Sequence, residues 1–261
     1  MSTPAADLPA ATLPDPAAIP PAVDADPAWA AAARAWLVQS DARFARRFDA
    51  GEPADKLVAL RARAVDTLVR DAWQRCIPEG DALALFAVGG YGRGELFPQS
   101  DVDLLVLAEP EVQRAAQPAL ARFVALLWDG GLQASPAVRS AAECTEAAAD
   151  QTVLTALIEA RPLVAWEEET AALRATIAPD RAWAPRAFLE AKVAEQRQRH
   201  ARFGDTSDNL EPNIKDGPGG LRDLHMLGWL ALRSFGVRDL DALVGLGHLG
   251  LRIGHLVAVL L

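Results

Sequence analysis

Cysteine is nearly absent from this chain. Cys76 and Cys144 are the only two in 261 residues. Neither stands in a Cys-x-x-Cys or Cys/His arrangement, which argues against a zinc site. Cys76 falls in a helical stretch, where a buried free thiol is expected. Positive charge is also short: 26 Lys and Arg face 35 Asp and Glu, for a net charge of −9. A broad grip on nucleic acid needs clustered Lys and Arg to neutralise phosphates, so no nucleic-acid partner is expected. A small nucleotide needs only local positive charge and stays open. The first 30 residues carry neither a Lys/Arg n-region nor a continuous apolar core, so no signal peptide is read and a cytoplasmic location is expected. The one long apolar run is Leu243 to Leu261, broken by His248, Arg252 and His255. Its length would admit a membrane span. Its glycines and polar residues argue instead for a buried or dangling apolar helix, and no membrane partner is expected.

What is present is the balance of an ordinary folded domain, 51% hydrophobic and 23% charged. The length allows one large domain or two small ones. Residues 1–27 are mostly Pro, Ala and Asp and read as a disordered tail, too poor in apolar surface to offset the entropy of ordering. Residues 28–80 read as N-terminal helices, to about Phe48 and from Ala54 to Arg75; Leu57, Leu60, Ala64, Leu68 and Trp73 trace an apolar face. Residues 81–165 read as a core of short strands and helices. Its strands are Leu83 to Val88, Val102 to Leu107, Leu132 to Val138 interrupted by Pro136, and Pro162 to Ala165. Residues 166–261 read as a helical region.

Two features of the core carry chemistry. Gly89 and Gly90 break the first strand. Without Cβ atoms, their N–H groups can approach a phosphate closely. The second strand opens with Asp101-Val102-Asp103. Alternate residues of a strand share a face, so the two carboxylates lie about 7 Å apart on one side and repel unless a cation sits between them. Mg²⁺ suits such a pair, since it takes one or two carboxylates and completes its shell with substrate phosphates. Other phosphate turns fit less well. No Lys follows the glycines as a P-loop requires. The spacing Gly90-x-Gly92-x-Gly94 is not the Gly-x-Gly-x-x-Gly that opens a Rossmann helix, and Pro98 stops a helix soon after.

These residues resemble the polymerase β-type nucleotidyltransferase superfamily. The longer string Gly89-Gly-Tyr-Gly-Arg-Gly-Glu-Leu96, then Pro98-Gln-Ser-Asp-Val-Asp-Leu-Leu105, resembles the bacterial protein-PII uridylyltransferase/uridylyl-removing enzymes. A second stretch, Leu210-Glu-Pro-Asn-Ile-Lys-Asp-Gly-Pro-Gly-Gly-Leu-Arg-Asp-Leu224, resembles a signature of the same family. The resemblance runs from about residue 30 to about 235 and implies an α+β fold, a small mixed sheet with flanking helices.

The implied reaction transfers UMP from UTP to a tyrosine of a PII protein with Mg²⁺. Asp101 and Asp103 would bind metal. Gly89, Gly90, Arg93 and Ser100 would hold phosphates. Arg139 matches the family, and Lys215 and Arg222 would bring charge to the second stretch. Arg93 could equally pair with Glu95, Arg139 could serve a structural ion pair, and the second stretch could be a tight turn held by a network around Arg222 and Asp223. Relatives have Gly-His-Ser-Val-Arg where this chain has Ser135-Pro-Ala-Val-Arg139, and the third strand offers no third carboxylate. Asp150 and Glu159 lie nearby as stand-ins, with cap or helix-face roles as alternatives. His200 closes a run on a solvated helix face and is given no role. No His-Asp pair has the spacing of the metal-dependent phosphohydrolase domain of relatives, so the chain is expected to be a truncated member without uridylyl-removing activity. An inactive remnant that binds nucleotide or PII, or an adenylyltransferase of the same superfamily, remains the alternative.

Overall fold

A computed structural model describes residues 25–78, 80, 82–204, 211, 213–237, 240–245 and 247. The expected tail before residue 25, the residues beyond 247, and Leu210 and Pro212 of the second stretch lie outside the described residues.

Two compact units divide the chain. The first holds the described residues up to Ala141 together with Glu159–Ala171. It starts with two long helices, α1 (Asp26–Asp49) and α2 (Ala54–Cys76). Strand β1 (Ala84–Ala87) follows, then a single helical turn α3 (Gly89–Gly92), β2 (Val102–Leu107), α4 (Pro110–Asp129) and β3 (Ala134–Arg139). Strand β4 (Arg161–Val164) returns to this unit, in strand order β3-β2-β1-β4. β1 runs antiparallel to β2 and β4, whereas β2 and β3 are parallel, with α4 as their crossover. The sheet is thus small and mixed with flanking helices, the α+β architecture expected.

Alternation along the strands sets the two faces. Leu85 and Ala87 of β1 join Val102, Leu104 and Val106 of β2 in the main core. That core includes Trp29 and Trp36 of α1, Leu68 and Trp73 of α2, and Phe123 and Leu127 of α4. Trp73 and Phe123 meet edge to face with ring centroids 5.1 Å apart, the geometry aromatic quadrupoles favour. Asp103 and Leu105 therefore point to the other face of β2, and Asp101 directly precedes the strand.

The second unit holds Ala142–Ile158 and the described residues from Ala172 onward. It contains α6 (Gln151–Ile158), most of α5 (Ala141–Ala147), the end of α7 (Glu167–Thr176), α8 (Pro185–Ala201), α9 (Leu221–Phe235) and α10 (Leu240–Gly245). Gly236, at φ 71°, closes α9, in the left-handed conformation glycine takes at no steric cost.

Four readings of the sequence change. Pro136 does not interrupt β3. β3 is an edge strand of the sheet, where a proline that donates no hydrogen bond is tolerated. Strand β3 also starts two residues later than expected, at Ala134. Helix α1 begins at Asp26, so Asp26 and Pro27 belong to it and not to the tail; Pro27 takes the first turn, where its missing N–H costs nothing. The two glycines after β1 end the strand by starting a helical turn. No helix among the described residues is long and apolar enough to cross a membrane.

Candidate active site

The site is built on the turn between β1 and β2. Val88 donates its N–H to the Asp103 carbonyl at 3.0 Å, fixing the start of the turn against β2. Gly92 and Arg93 then donate to the carbonyls of Val88 and Gly89 at 2.9 and 3.1 Å. The N–H groups of Gly89, Gly90 and Tyr91 precede these bonds and have no acceptor within the turn. Gly94 (φ 80°) closes it: Glu95 N–H donates to Gly90 and Gly94 N–H to Tyr91, at 2.9 and 3.0 Å. That is a Schellman closure with glycine at the left-handed position.

Each glycine has its own reason. Gly89 has φ 59°, and a Cβ there would stand 3.1 Å from Asp103 Oδ2. A Cβ at Gly92 would stand 2.4 Å from the Glu159 carbonyl and 2.9 Å from that of Ala87. Gly90 is tight as well, with the Glu95 carbonyl 3.3 Å from its notional Cβ. The turn thus lies with its backbone directly against the Asp103 carboxylate.

Asp101 is exposed just before β2, and Asp103 is half-buried as its second residue. Ser100 is exposed beside them. It follows a turn in which its N–H donates to Phe97 O at 3.1 Å, while Gln99 takes φ 64°. Pro98 next to a positive-φ residue is the type II pattern, normally reserved for glycine at Gln99's place. Arg61 of α2 anchors the turn from behind, donating to Phe97 O at 3.1 Å while it holds Asp41.

The residues present fit a hard divalent cation: two carboxylates two residues apart at the entry of one strand, with the rest of the shell left to phosphate and water oxygens. Among the described residues no group of three or more His, Cys, Asp or Glu is disposed to hold a metal ion. Ser135 is the ladder partner of Asp103 on β3, so β3 brings no carboxylate beside the pair. Asp150 accepts from the N–H of Thr152 at 2.6 Å and caps α6; that bond outweighs its desolvation and lowers its pKa. Glu159 is buried and pairs with Arg93 at 2.6 Å.

Arg93 is held by two carboxylates, Glu159 and, at 2.9 Å, Glu95. Burial disfavours its charge, but Glu159 and Glu95 outweigh that and raise its pKa. Arg139 pairs with Leu107 at the far end of the ladder. It is four residues beyond Ser135, about 13 Å along the strand, so the structure does not bring it beside Asp103.

Lys215 and Arg222 belong to the second unit. Asn213 Oδ1 accepts from the N–H groups of Lys215 and Asp216 at 3.0 and 2.8 Å, and the loop folds back so that Leu221 N–H donates to Ile214 O at 2.9 Å. Lys215 is exposed, and Arg222 reaches Asp216 at 3.4 Å. The centre of the network is Asp223, not Arg222. Its carboxylate accepts from Arg199 at 2.7 Å, Gln196 at 2.9 Å, His200 at 2.9 Å and the N–H of Gly219 at 2.8 Å. The face of α8 that was expected to be solvated therefore buries Arg199 against the loop. The alternation of Gln, Arg and His gave no signal of this, because the partner lies 24 residues away.

Comparison with known proteins places this geometry. Residues 69–159 match the nucleotidyltransferase domain family, and residues 187–253 match the GlnD PII-uridylyltransferase family. The small mixed sheet, with its glycine turn and strand carboxylates, is accordingly a nucleotidyltransferase domain. The chain is 66% identical over 231 residues to a bifunctional uridylyltransferase/uridylyl-removing enzyme of Xanthomonas campestris pv. campestris (strain 8004), covering 88% of the chain and 27% of that relative. It is 46% identical over 221 residues to an enzyme of the same description from Methylococcus capsulatus, covering 84% of the chain and 25% of the relative. Over these residues the chain belongs to the family of bifunctional uridylyltransferase/uridylyl-removing enzymes, as a portion that includes their nucleotidyltransferase domain. It spans about a quarter of the length of the curated relatives it matches.

Proposed function

We propose that this chain transfers UMP from UTP to a tyrosine hydroxyl of a PII nitrogen-regulatory protein, with Mg²⁺, releasing pyrophosphate. The observation that carries this reading is the placement of Asp101 and Asp103 at the start of β2, with the Gly89 backbone against Asp103, in a chain of this family. The acceptor oxygen forms a bond to the α-phosphorus as the bond to pyrophosphate breaks. Asp101 and Asp103 would hold Mg²⁺, which when bound supplies positive charge to the attacking oxygen and the leaving pyrophosphate. The N–H groups of Gly89 and Gly90, with Ser100, face the β- and γ-phosphates. Arg93 keeps the turn in shape through Glu95 and Glu159. Lys215 and Arg222 are assigned to phosphate contact by the sequence resemblance alone.

Residues 1–261 hold no His-Asp pair of phosphohydrolase spacing, so uridylyl removal is not assigned to this chain. A second reading has one observation behind it: β3 places Ser135, and no carboxylate, beside Asp103. On that reading the chain binds UTP or PII without transfer. Incubation with α-labelled UTP, PII and Mg²⁺ separates the two, with labelled ATP as the test of adenylyl transfer. Label on PII from UTP supports transfer. Binding of UTP without label on PII defeats it and supports the second reading.

A further inference from the structure

Glu159 and Arg161 flank the start of β4, and both grip the glycine turn. The Glu159 carboxylate accepts from Arg93 Nη1 at 2.6 Å. Its carbonyl lies so close to Gly92 that only glycine fits there. Arg161 donates from Nε to the Gly92 carbonyl at 3.3 Å and from Nη2 to the Tyr91 carbonyl at 3.2 Å. Its guanidinium stands 5.4 Å from the centroid of the buried Tyr91 ring. The other side of the fork is set by Asp66 of α2, only 4% exposed, through two bonds of 2.7 and 3.0 Å. A bidentate carboxylate fixes a guanidinium in one plane, and that plane meets the last carbonyls of the turn.

A turn with glycine at four of six positions, 89, 90, 92 and 94, has little stiffness of its own. Its first glycine abuts Asp103, and its last residues are tied to β4. We infer that Glu159 and Arg161, backed by Asp66, are positioning residues that fix the glycine turn at one distance from Asp103. A triphosphate shared between turn and carboxylate is then bound in one geometry. This role rests on the transfer reading above. Neither residue touches the reacting atoms; each acts through the backbone of the turn. A misplacement of about 1 Å in such a site costs about 10²-fold in rate, which is the scale of effect a lost grip would have.

Arg161→Gln alone leaves Asp66 buried without its fork, so it is combined with Asp66→Asn, which removes both charges together. Three readouts apply to the purified full chain: the melting midpoint, amide hydrogen exchange at residues 89–95 without nucleotide, and KM against kcat for UTP. The double variant is expected to melt near the wild type, exchange roughly tenfold faster at Gly92 to Glu95, and show kcat/KM for UTP lowered by about 10²-fold, with a loss in kcat. Arg161→Lys keeps the charge but not the fork, and should move exchange and kcat/KM the same way. If the double variant does not fold, Glu159→Gln carries the same exchange and kinetic tests, since it weakens the hold on Arg93 and leaves the Arg161–Asp66 fork in place. Unchanged exchange in a folded variant would overturn the grip. Faster exchange with both kcat and KM for UTP at wild-type values would overturn the positioning role. A wild-type chain that binds no UTP would defeat the transfer reading and the positioning role with it, while the exchange data would still decide whether β4 orders the turn.

Discussion

The glycine turn at 89–95 and the loop at 213–223 are alike in sequence and different in construction. Both are rich in glycine, and both carry one Arg and at least one acidic residue. In the loop the close approaches are local. A Cβ at Gly217 would stand 2.7 Å from the Asn213 carbonyl, and one at Gly220 would stand 2.8 Å from that of Ile214. In the turn the closest approach is to a carbonyl 67 residues away, that of Glu159 against Gly92. The carboxylates differ as well. Asp223 accepts from four donors around it, whereas Asp101 is exposed and Asp103 is half-buried with the Gly89 backbone against its carboxylate. A carboxylate surrounded by protein donors is a structural anchor. Asp101 and Asp103 stand instead at the entry of a strand, where Asp101 is open to solvent.

The largest expected effect tests that contrast directly. Asp101→Asn and Asp103→Asn should each lower transfer by about 10³-fold or more, on the scale of losing a key electrostatic group. The fold should persist, because each change also relieves repulsion between like charges. Turnover at saturating Mg²⁺ with an unchanged melting midpoint is the check. Near wild-type turnover from either variant would remove the metal assignment. Gly92→Ala comes next and acts on the fold. The new Cβ must displace the carbonyls of Ala87 at the end of β1 and of Glu159 between α6 and β4, so a loss of about 3 kcal/mol is expected from overpacking. Gly219→Ala offers the comparison: φ is 74° there but nothing lies within 4 Å, so only left-handed strain of about 1 kcal/mol applies. Urea unfolding of both variants ranks them, and equal losses would show that the distant carbonyl of Glu159 does not constrain the turn.

The same contrast explains what could be read from sequence. Strand β2 was legible to the residue, because Leu104 to Leu107 form an apolar run and Asp101 and Asp103 share its period. The location of the glycine turn was legible too, from composition alone. Its helical form was not. Glycine disfavours helix, and the turn is held by Val88, Glu159 and Arg161, two of them far along the chain. The partner of Arg93 was half legible: Glu95 is two residues away, while Glu159 is 66 away. In the loop, Asp223 was visible as a residue, but its partners Arg199 and His200 sit on a helix whose pattern looked solvated. Long-range ion pairs leave no periodic trace, since they depend on which elements the fold brings together.

Asp223 provides the third prediction. Desolvation raises its pKa, but Arg199, Gln196 and the Gly219 N–H outweigh it, and its carboxyl ends below its ordinary value of 3.8. A depressed folded pKa gives stability that is complete above the unfolded value and is lost as pH falls through the folded one. Unfolding free energy of the wild type should therefore decline below about pH 4, and part of that decline should vanish in Asp223→Asn. Asp223→Ala should cost about 2 kcal/mol at neutral pH, because buried Arg199 loses its 2.7 Å bond to Asp223 and keeps only Glu195 at 3.1 Å. A wild-type acid limb that is unchanged in Asp223→Asn would show that the network does not depend on ionised Asp223.

Gln99→Gly is the smallest expected change and the sharpest on the first region. Gln99 is the one non-glycine residue with positive φ among the described residues, and it lies two positions before Asp101. The left-handed conformation costs a non-glycine residue about 1 kcal/mol or more, and glycine gives back part of that gain through its looser unfolded chain. A net stabilisation of about 0.5 kcal/mol should follow from these two terms. Residues held in such conformations persist where surrounding structure over-determines them, and here Arg61 pins Phe97 while β2 pins Val102. If the side chain at 99 stiffens the approach to Asp101, the stabilised variant should transfer UMP more slowly with its KM for UTP little changed. Equal turnover alongside higher stability would mean that the strain is incidental and that Asp101 is placed by β2 alone.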